Sequence, residues 1–261
     1  CGRGLQEKRY TMPGTSCQTA SGWNPIGGGI AEGKLRQYLE ASNYDPALAS
    51  EMFYLDGAVA AAFLEPIRLV ELVLREAIHQ RATQVYGSRW MLNPAVIDGR
   101  SFEKVTRSIR RVGNSTSSDK IVSDLNLGFW SGLFQRGGPG SVDPGIQIKH
   151  ISTLWIPALN GLFKGGSPSR KTVATLSLRI SYLRNRMAHH EPILFGITQP
   201  GGRKDNMQIK QQPMNAYRDL VQLGGYLDSG LGELLSVKFS LGKILSDDLS
   251  QRALRHAKSH Q

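Results

Sequence analysis

Val173, Leu176, Ile180, Leu183 and Met187 follow one another at spacings of three, four, three and four. That cadence places all five on one stripe of an α-helix and on no common face of a strand, whose side chains repeat every two residues. The same rhythm recurs at Phe63, Ile67, Val70, Leu74 and Ile78, and again at Ile121, Leu125, Phe129 and Leu133. No stretch shows sustained strand alternation, and no pair of alternating segments flanks an Asn-Gly turn. The chain is therefore expected to be all-α, with apolar stripes facing one another in a bundle.

Punctuation divides the 261 residues into a flexible leader at 1–29, a helical domain at 30–248 and a polar tail at 249–261. The leader is rich in Gly, Ser, Thr and Pro and closes on Gly27, Gly28 and Gly29. A short helix is expected over 30–41. Asp45 and Pro46 then start a longer one, because Asp accepts free backbone N–H groups and Pro tolerates the first helical position. This helix should reach Tyr86, with Pro66 kinking it or marking a new start.

Its polar ridge carries Glu65, Arg68, Glu71, Arg75 and His79, spaced to pair along the helix. Leu69, Leu72 and Val73 make the helix apolar nearly all round, so Glu71 and Arg75 should be partly buried and need partners. Beyond the Asn93-Pro94 break come a basic helix, a linker at 113–118 and one helix from about Asp119. A Gly/Pro loop at 137–145 and an apolar element at 151–163, limited by Pro157, follow. Ser167 and Pro168 should start the helix of the opening stripe, and Glu191-Pro192 should end it. Two further helices are expected over 214–227 and 231–245.

Lys and Arg number 32 against 21 Asp and Glu, a formal charge of +11. Such a balance favours an acidic partner, nucleic acid or an anionic membrane, over a merely basic soluble protein. The stretch 144–190 contains no Asp or Glu, yet holds Lys149, Lys164, Arg170, Lys171, Arg179, Arg184, Arg186, His150, His189 and His190. Arg100, Lys104, Arg107 and Arg111 recur at four, three and four, one basic stripe with Arg110 beside it. Arg100, Lys104, Arg107, Arg111, Arg170, Lys171 and Arg179 are the candidate RNA-binding cations; the competing reading of the stripe is a solvated face. Cys1 and Cys17 are the only cysteines, too few for a disulfide scaffold and far from any histidine in sequence. The longest apolar run, 58–64, is too short to cross a bilayer, so no membrane partner and a cytoplasmic location are expected.

Residues 183–193 read Leu-Arg-Asn-Arg-Met-Ala-His-His-Glu-Pro-Ile. An Arg, a polar residue and then a His after a gap of four, with the Glu-Pro-Ile that follows, resembles the motif of the Abi-like (abortive-infection) branch of the HEPN superfamily. The segment 64–78 is similar to that family as well. So are 127–133, containing Gly128, Phe129 and Trp130, and Thr153, Leu154, Trp155, Ile156, Pro157 and Ala158. The resemblance covers roughly 33–248. Glu76 departs from it, standing where the family commonly has Asn, and the loop at 136–150 is longer than usual.

The resemblance implies a HEPN-like helical bundle acting as a homodimer. Two motif copies would face each other and cut RNA as a toxin or phage-defence effector, without metal or cofactor, and an antitoxin or phage-derived trigger protein is an expected partner. It assigns catalysis to Arg184, Asn185 and His189, with Glu71, Arg75, His190 and Arg186 in support.

The chemistry of these residue types agrees. RNA carries its own nucleophile, the ribose 2′-hydroxyl, so cleavage needs a base, an acid for the leaving 5′-oxygen and cationic donors for the phosphate. A histidine can serve as base or acid near neutral pH, and arginine offers a planar fork matched to phosphate oxygens. One chain supplies one such set and two supply both histidines.

At about 100° per residue, His190 falls beside the apolar seam and reads as a packed helix-end residue, whereas His189 lies nearly opposite, sharing an exposed face with Asn185. Arg184 falls about 140° from His189, so convergence requires a loosened helix end or an Arg acting across the dimer. Four other readings compete. Arg184 and His189 could cap the helix and pair with acids such as Glu71, or the chain could be a non-catalytic RNA-binding or protein-interaction module. A DNA-binding regulator lacks a helix-turn-helix signature, and a metal site at His189, His190 and Glu191 suffers because adjacent side chains diverge around a helix.

Overall fold

A computed structural model describes residues 25–26, 28–113, 117–204, 207–239 and 241–259, together with the two-residue strands Thr11–Met12 and Thr15–Ser16. Most of the expected 1–29 leader lies outside the described residues. The remainder is mostly helical, and one continuous hydrophobic cluster runs from Leu35 to Ala253.

Its axis is α2 (Pro46–Tyr86), 41 residues and so about 60 Å long. Asp45 caps it, Oδ1 accepting from the Ala47 N–H at 3.0 Å and the Leu48 N–H at 3.3 Å. The helix is continuous through Pro66, which is buried inside it, so Pro66 does not begin a new helix. Met52, Leu55, Val59, Phe63, Ile67, Val70, Leu74, Ile78 and Ala82 give α2 a buried seam along its whole length. Helix α1 (Glu32–Ala41) buries Leu35 and Tyr38. Asn43 and Tyr44, both left-handed at φ 55° and 61°, lie between it and α2.

Helix α3 (Gly99–Val112) is capped by Asp98, which accepts from the Ser101 N–H at 2.9 Å. The single helix expected from about Asp119 is instead three pieces: α4 (Ser118–Asp124), α5 (Leu127–Trp130) and a 3-10 turn, Ser131–Phe134. Leu125 and Asn126 are extended, and the Asn126 side chain accepts from the Phe129 N–H at 3.1 Å, which restarts the helix. The apolar register survives the break, since Ile121, Leu125, Phe129 and Leu133 are all buried.

Strands also form where loops were expected. Gly137–Pro139 pairs antiparallel with Gln147–Lys149, and Ile197–Lys204 with Met207–Gln211. Gly137 sits at φ +86°, and a Cβ there would lie 2.0 Å from the Ile148 carbonyl oxygen, so the first ribbon accepts only glycine at that point. A π-helical turn, Ile151–Trp155, and a 3-10 turn, Leu159–Leu162, flank Pro157.

Helix α6 (Arg170–Ala188) begins two residues later than Ser167-Pro168 implies. Its cap is Ser169, whose Oγ accepts from the Thr172 N–H at 3.1 Å. Val173, Leu176, Ile180 and Leu183 are buried as the stripe requires, with Met187 packed at its edge. After the second ribbon come α7 (Pro213–Leu227) and α8 (Ser229–Lys238). The helix expected over 231–245 is divided between α8 and α9 (Leu241–Ser246). The expected polar tail is a helix, α10 (Asp248–Ser259), which buries Ser250 and Ala253. Among the described residues no helix is long and apolar enough to cross a membrane.

Candidate functional site

The C-terminal end of α6 is built as a Schellman motif. His189 is the cap at φ −95°, ψ 8°, and its N–H donates to the Asn185 carbonyl at 3.0 Å. His190 is left-handed at φ 52°, its N–H donating to Met187 O at 3.1 Å, and the Glu191 N–H donates back to Arg186 O at 2.9 Å. Pro192 follows, where no helix can continue. The helix thus stops before His190, and the angular argument that packed His190 against the seam fails for that reason: His190 is exposed. His189 and Asn185 are exposed too, and Arg184 is half-buried.

Arg184 faces α2. Burial raises the Glu71 carboxyl above the usual carboxylate range, while the nearby Arg184 and Arg75 guanidiniums and a hydrogen bond from the Leu127 N–H pull the other way. Arg75 is 18% exposed at its side chain and lies 3.5 Å from Glu76; its Nε is buried without a hydrogen-bond partner. Glu71, Arg75 and Arg184 therefore form one half-buried charge cluster between α2 and α6, bounded by the start of α5.

Arg186 is committed elsewhere. Its Nη2 donates to the Pro192 carbonyl at 2.7 Å, and its Nη1 donates to Thr198 Oγ1 at 3.2 Å and pairs with Glu191 at 3.1 Å. It fastens the segment after the motif and neutralises Glu191, the acid that follows the two histidines in sequence. Asp56, which sequence reasoning missed, does the same work from α2. Only 8% exposed, it accepts the Ile193 N–H at 3.0 Å, the Leu194 N–H at 2.6 Å and the Tyr38 hydroxyl at 2.9 Å. A signal was present: Met52, Asp56, Val59 and Phe63 fall at four, three and four, which puts a carboxylate on the buried seam.

The basic stripe is largely engaged. Arg107 pairs with Glu103 at 2.5 Å and Arg111 with Asp124 at 2.5 Å. Lys104 Nζ donates to the Gly128 carbonyl at 2.9 Å, and Arg100 is exposed one turn before it. Elsewhere Arg170 donates to Phe134 O at 2.6 Å, Arg179 lies 3.5 Å from Asp219, and Lys171 is exposed. His150, 1% exposed, accepts from the Asp98 N–H at 3.4 Å; burial lowers its pKa against the pull of Asp98. It belongs to the junction between α3 and the first ribbon, where the long 136–150 loop returns to the core.

Among the described residues no three of His, Cys, Asp and Glu come together as a metal-binding group. Comparison with protein-family models, with characterised proteins and with solved structures gives no match for this chain.

Proposed function

We propose that the chain is a metal-independent endoribonuclease of the abortive-infection type, working as a homodimer in which His189 from each copy addresses one RNA phosphodiester. One imidazole takes the proton of the ribose 2′-hydroxyl, and O2′ attacks phosphorus. The other protonates the departing 5′-oxygen, leaving a 2′,3′-cyclic phosphate and a 5′-hydroxyl without consuming water. Arg184 and Asn185 supply donors to the phosphate oxygens as charge builds.

The observation that carries this reading is the exposure of Asn185 and His189 together at the end of α6. They lie in a stretch with no acid before Glu191, and Glu191 is paired with Arg186. Dimerisation draws support from α2. Its exposed residues between Tyr54 and Leu72 are Tyr54, Gly57, Ala61, Leu64, Glu65, Arg68 and Leu72, with Leu64 62% exposed. The only charges among them, Glu65 and Arg68, pair at 2.7 Å. A chain of net charge +11 repels its own copy over most of its surface, and this neutral apolar strip is a face where two copies can meet.

The test is digestion of transfer RNA by purified full-length chain, with end-group analysis and light scattering. His189→Ala should lower cleavage by about two to four orders of magnitude while leaving the far-ultraviolet dichroism unchanged. Cleavage that persists in this variant refutes the assignment. The placing of half-buried Arg184 near Glu71 favours one second reading, a non-catalytic RNA-binding or protein-interaction module. RNA bound equally by both forms, with neither cutting it, selects that module.

A further inference from the structure

Two regions that are distant in sequence meet at Leu127–Gly128. The Leu127 backbone lies close enough to Glu71, the carboxylate near Arg184, to help hold its pKa down. The next carbonyl, that of Gly128, accepts the Lys104 ammonium at 2.9 Å. Gly128 also lies against α6, where a Cβ would stand 3.6 Å from Ser181 Oγ, three residues before Arg184. Consecutive Cα atoms are about 3.8 Å apart, so Lys104 and Arg184 address opposite sides of one dipeptide at a separation on the order of 10 Å.

We infer that Lys104, with Arg100 one turn before it, forms a subsite for a backbone phosphate of single-stranded RNA, a few nucleotides from the bond placed between the two His189 side chains. The inference rests on the ribonuclease reading and names how the substrate lies on that site. A separation on the order of 10 Å from Arg184, which the ribonuclease reading places on the scissile phosphate, is short enough for one strand to meet both cations.

The charges around Lys104 are unbalanced in the direction an anion corrects. Arg100 and Arg107 both act repulsively on it, and the attractive acid within reach is Asp98, whose carboxylate already caps α3 through the Ser101 N–H. Glu103, the other acid on this helix, is paired with Arg107. The Lys104 ammonium gives up part of its hydration against the α5 backbone, which lowers its pKa, and gains one neutral carbonyl acceptor there. The residue as a whole stays exposed, so its remaining donors can meet a ligand. A phosphate oxygen placed there offers those donors an acceptor and relieves the mutual repulsion of three cations. Arg111, bound in two-pronged fashion to Asp124, is outside the subsite.

The experiment is a fluorescence-anisotropy titration of full-length protein with a short labelled 2′-O-methyl RNA, which cannot be cleaved because its 2′-oxygen is blocked. It is repeated between about 50 and 200 mM salt. Lys104→Gln should weaken binding several-fold and reduce the salt slope by about 0.7, the loss of one phosphate contact on a single strand. Lys104→Arg should restore the slope, which a purely structural role for the Gly128 bond would not require. A Lys104→Gln protein with wild-type affinity and slope overturns the subsite while leaving the ribonuclease reading standing. Failure of the wild-type protein to bind the RNA at the lowest salt removes both.

Discussion

Replacing Asp56 by Ala tests how the motif is held. The carboxylate accepts three buried donors, the Ile193 and Leu194 N–H groups and the Tyr38 hydroxyl, at 3.0, 2.6 and 2.9 Å. A buried donor left unmatched costs about 1–3 kcal/mol, so three orphaned donors set the scale. Against this, Ala removes a buried carboxylate that itself carries a desolvation cost, which brings the expected loss to the low end, about 3–5 kcal/mol. Asn should cost less, about 1–2 kcal/mol, because its one carbonyl oxygen still serves the two backbone donors and its amide can donate to the Tyr38 oxygen.

The pH dependence has a definite sign. Burial raises the Asp56 carboxyl above the usual range, outweighing its hydrogen bonds and the nearby Arg186, which lower it. The folded chain thus holds that proton more tightly than the unfolded chain, whose Asp pKa is about 3.9. Stability from this group is fully present below the unfolded pKa and is lost as pH climbs through the raised folded value. The deficit of Asp56→Ala should therefore be wider near pH 5 than near pH 8. Urea unfolding followed by dichroism, extrapolated linearly to water, measures it. A deficit under about 1 kcal/mol at unchanged m-value would show that water or other acceptors replace the carboxylate, and the latch would not be energetic.

Two further substitutions probe the end of α6 and the junction between α3 and the first ribbon. His190→Gly should stabilise the chain by about 0.5–1 kcal/mol, since glycine occupies the left-handed Schellman position without the Cβ penalty; a lower melting temperature would show that the imidazole makes a contact worth more. His150 is buried with its pKa lowered, so the stability it contributes is present above its unfolded pKa, about 6.5, and fades as pH falls toward the folded value. Melting curves of His150→Gln should be flatter than wild type across this acid range, and parallel curves would assign the pH dependence to other groups.

The long apolar stripes of α2 and α6 were legible because a 3.6-residue period summed over many turns overrides local detail. The Asp45-Pro46 start of α2 was legible as well, and what escaped were other features decided by one or two residues. Asn126 breaks a register that stays apolar on both sides, and periodicity alone cannot see a break that preserves the buried face. The ribbon at Gly137–Pro139 contains two glycines and a proline, a composition that reads as loop, and it pairs through backbone geometry that only glycine permits. Helix α10 looks polar because a single buried stripe, with Ser250 and Ala253 in it, carries its packing.

The motif segment shows why a pattern can be found while its roles are not. Its eleven residues divide among three tasks that sequence spacing treats alike. Asn185 and His189 point to solvent, Arg184 turns toward Glu71, and Arg186 binds the segment that follows. Alternation of Arg, Asn and Arg over three positions sweeps about 200° of helix, so neighbouring guanidiniums must serve different faces. That geometry makes Arg184→Lys and Arg186→Lys unequal probes. A lysine at 186 loses the simultaneous bonds to Pro192 O, Thr198 and Glu191 that a planar fork allows, and it should loosen the fold. A lysine at 184 keeps its charge beside Glu71 while losing the fork offered to phosphate, so any cost should fall on turnover rather than on stability.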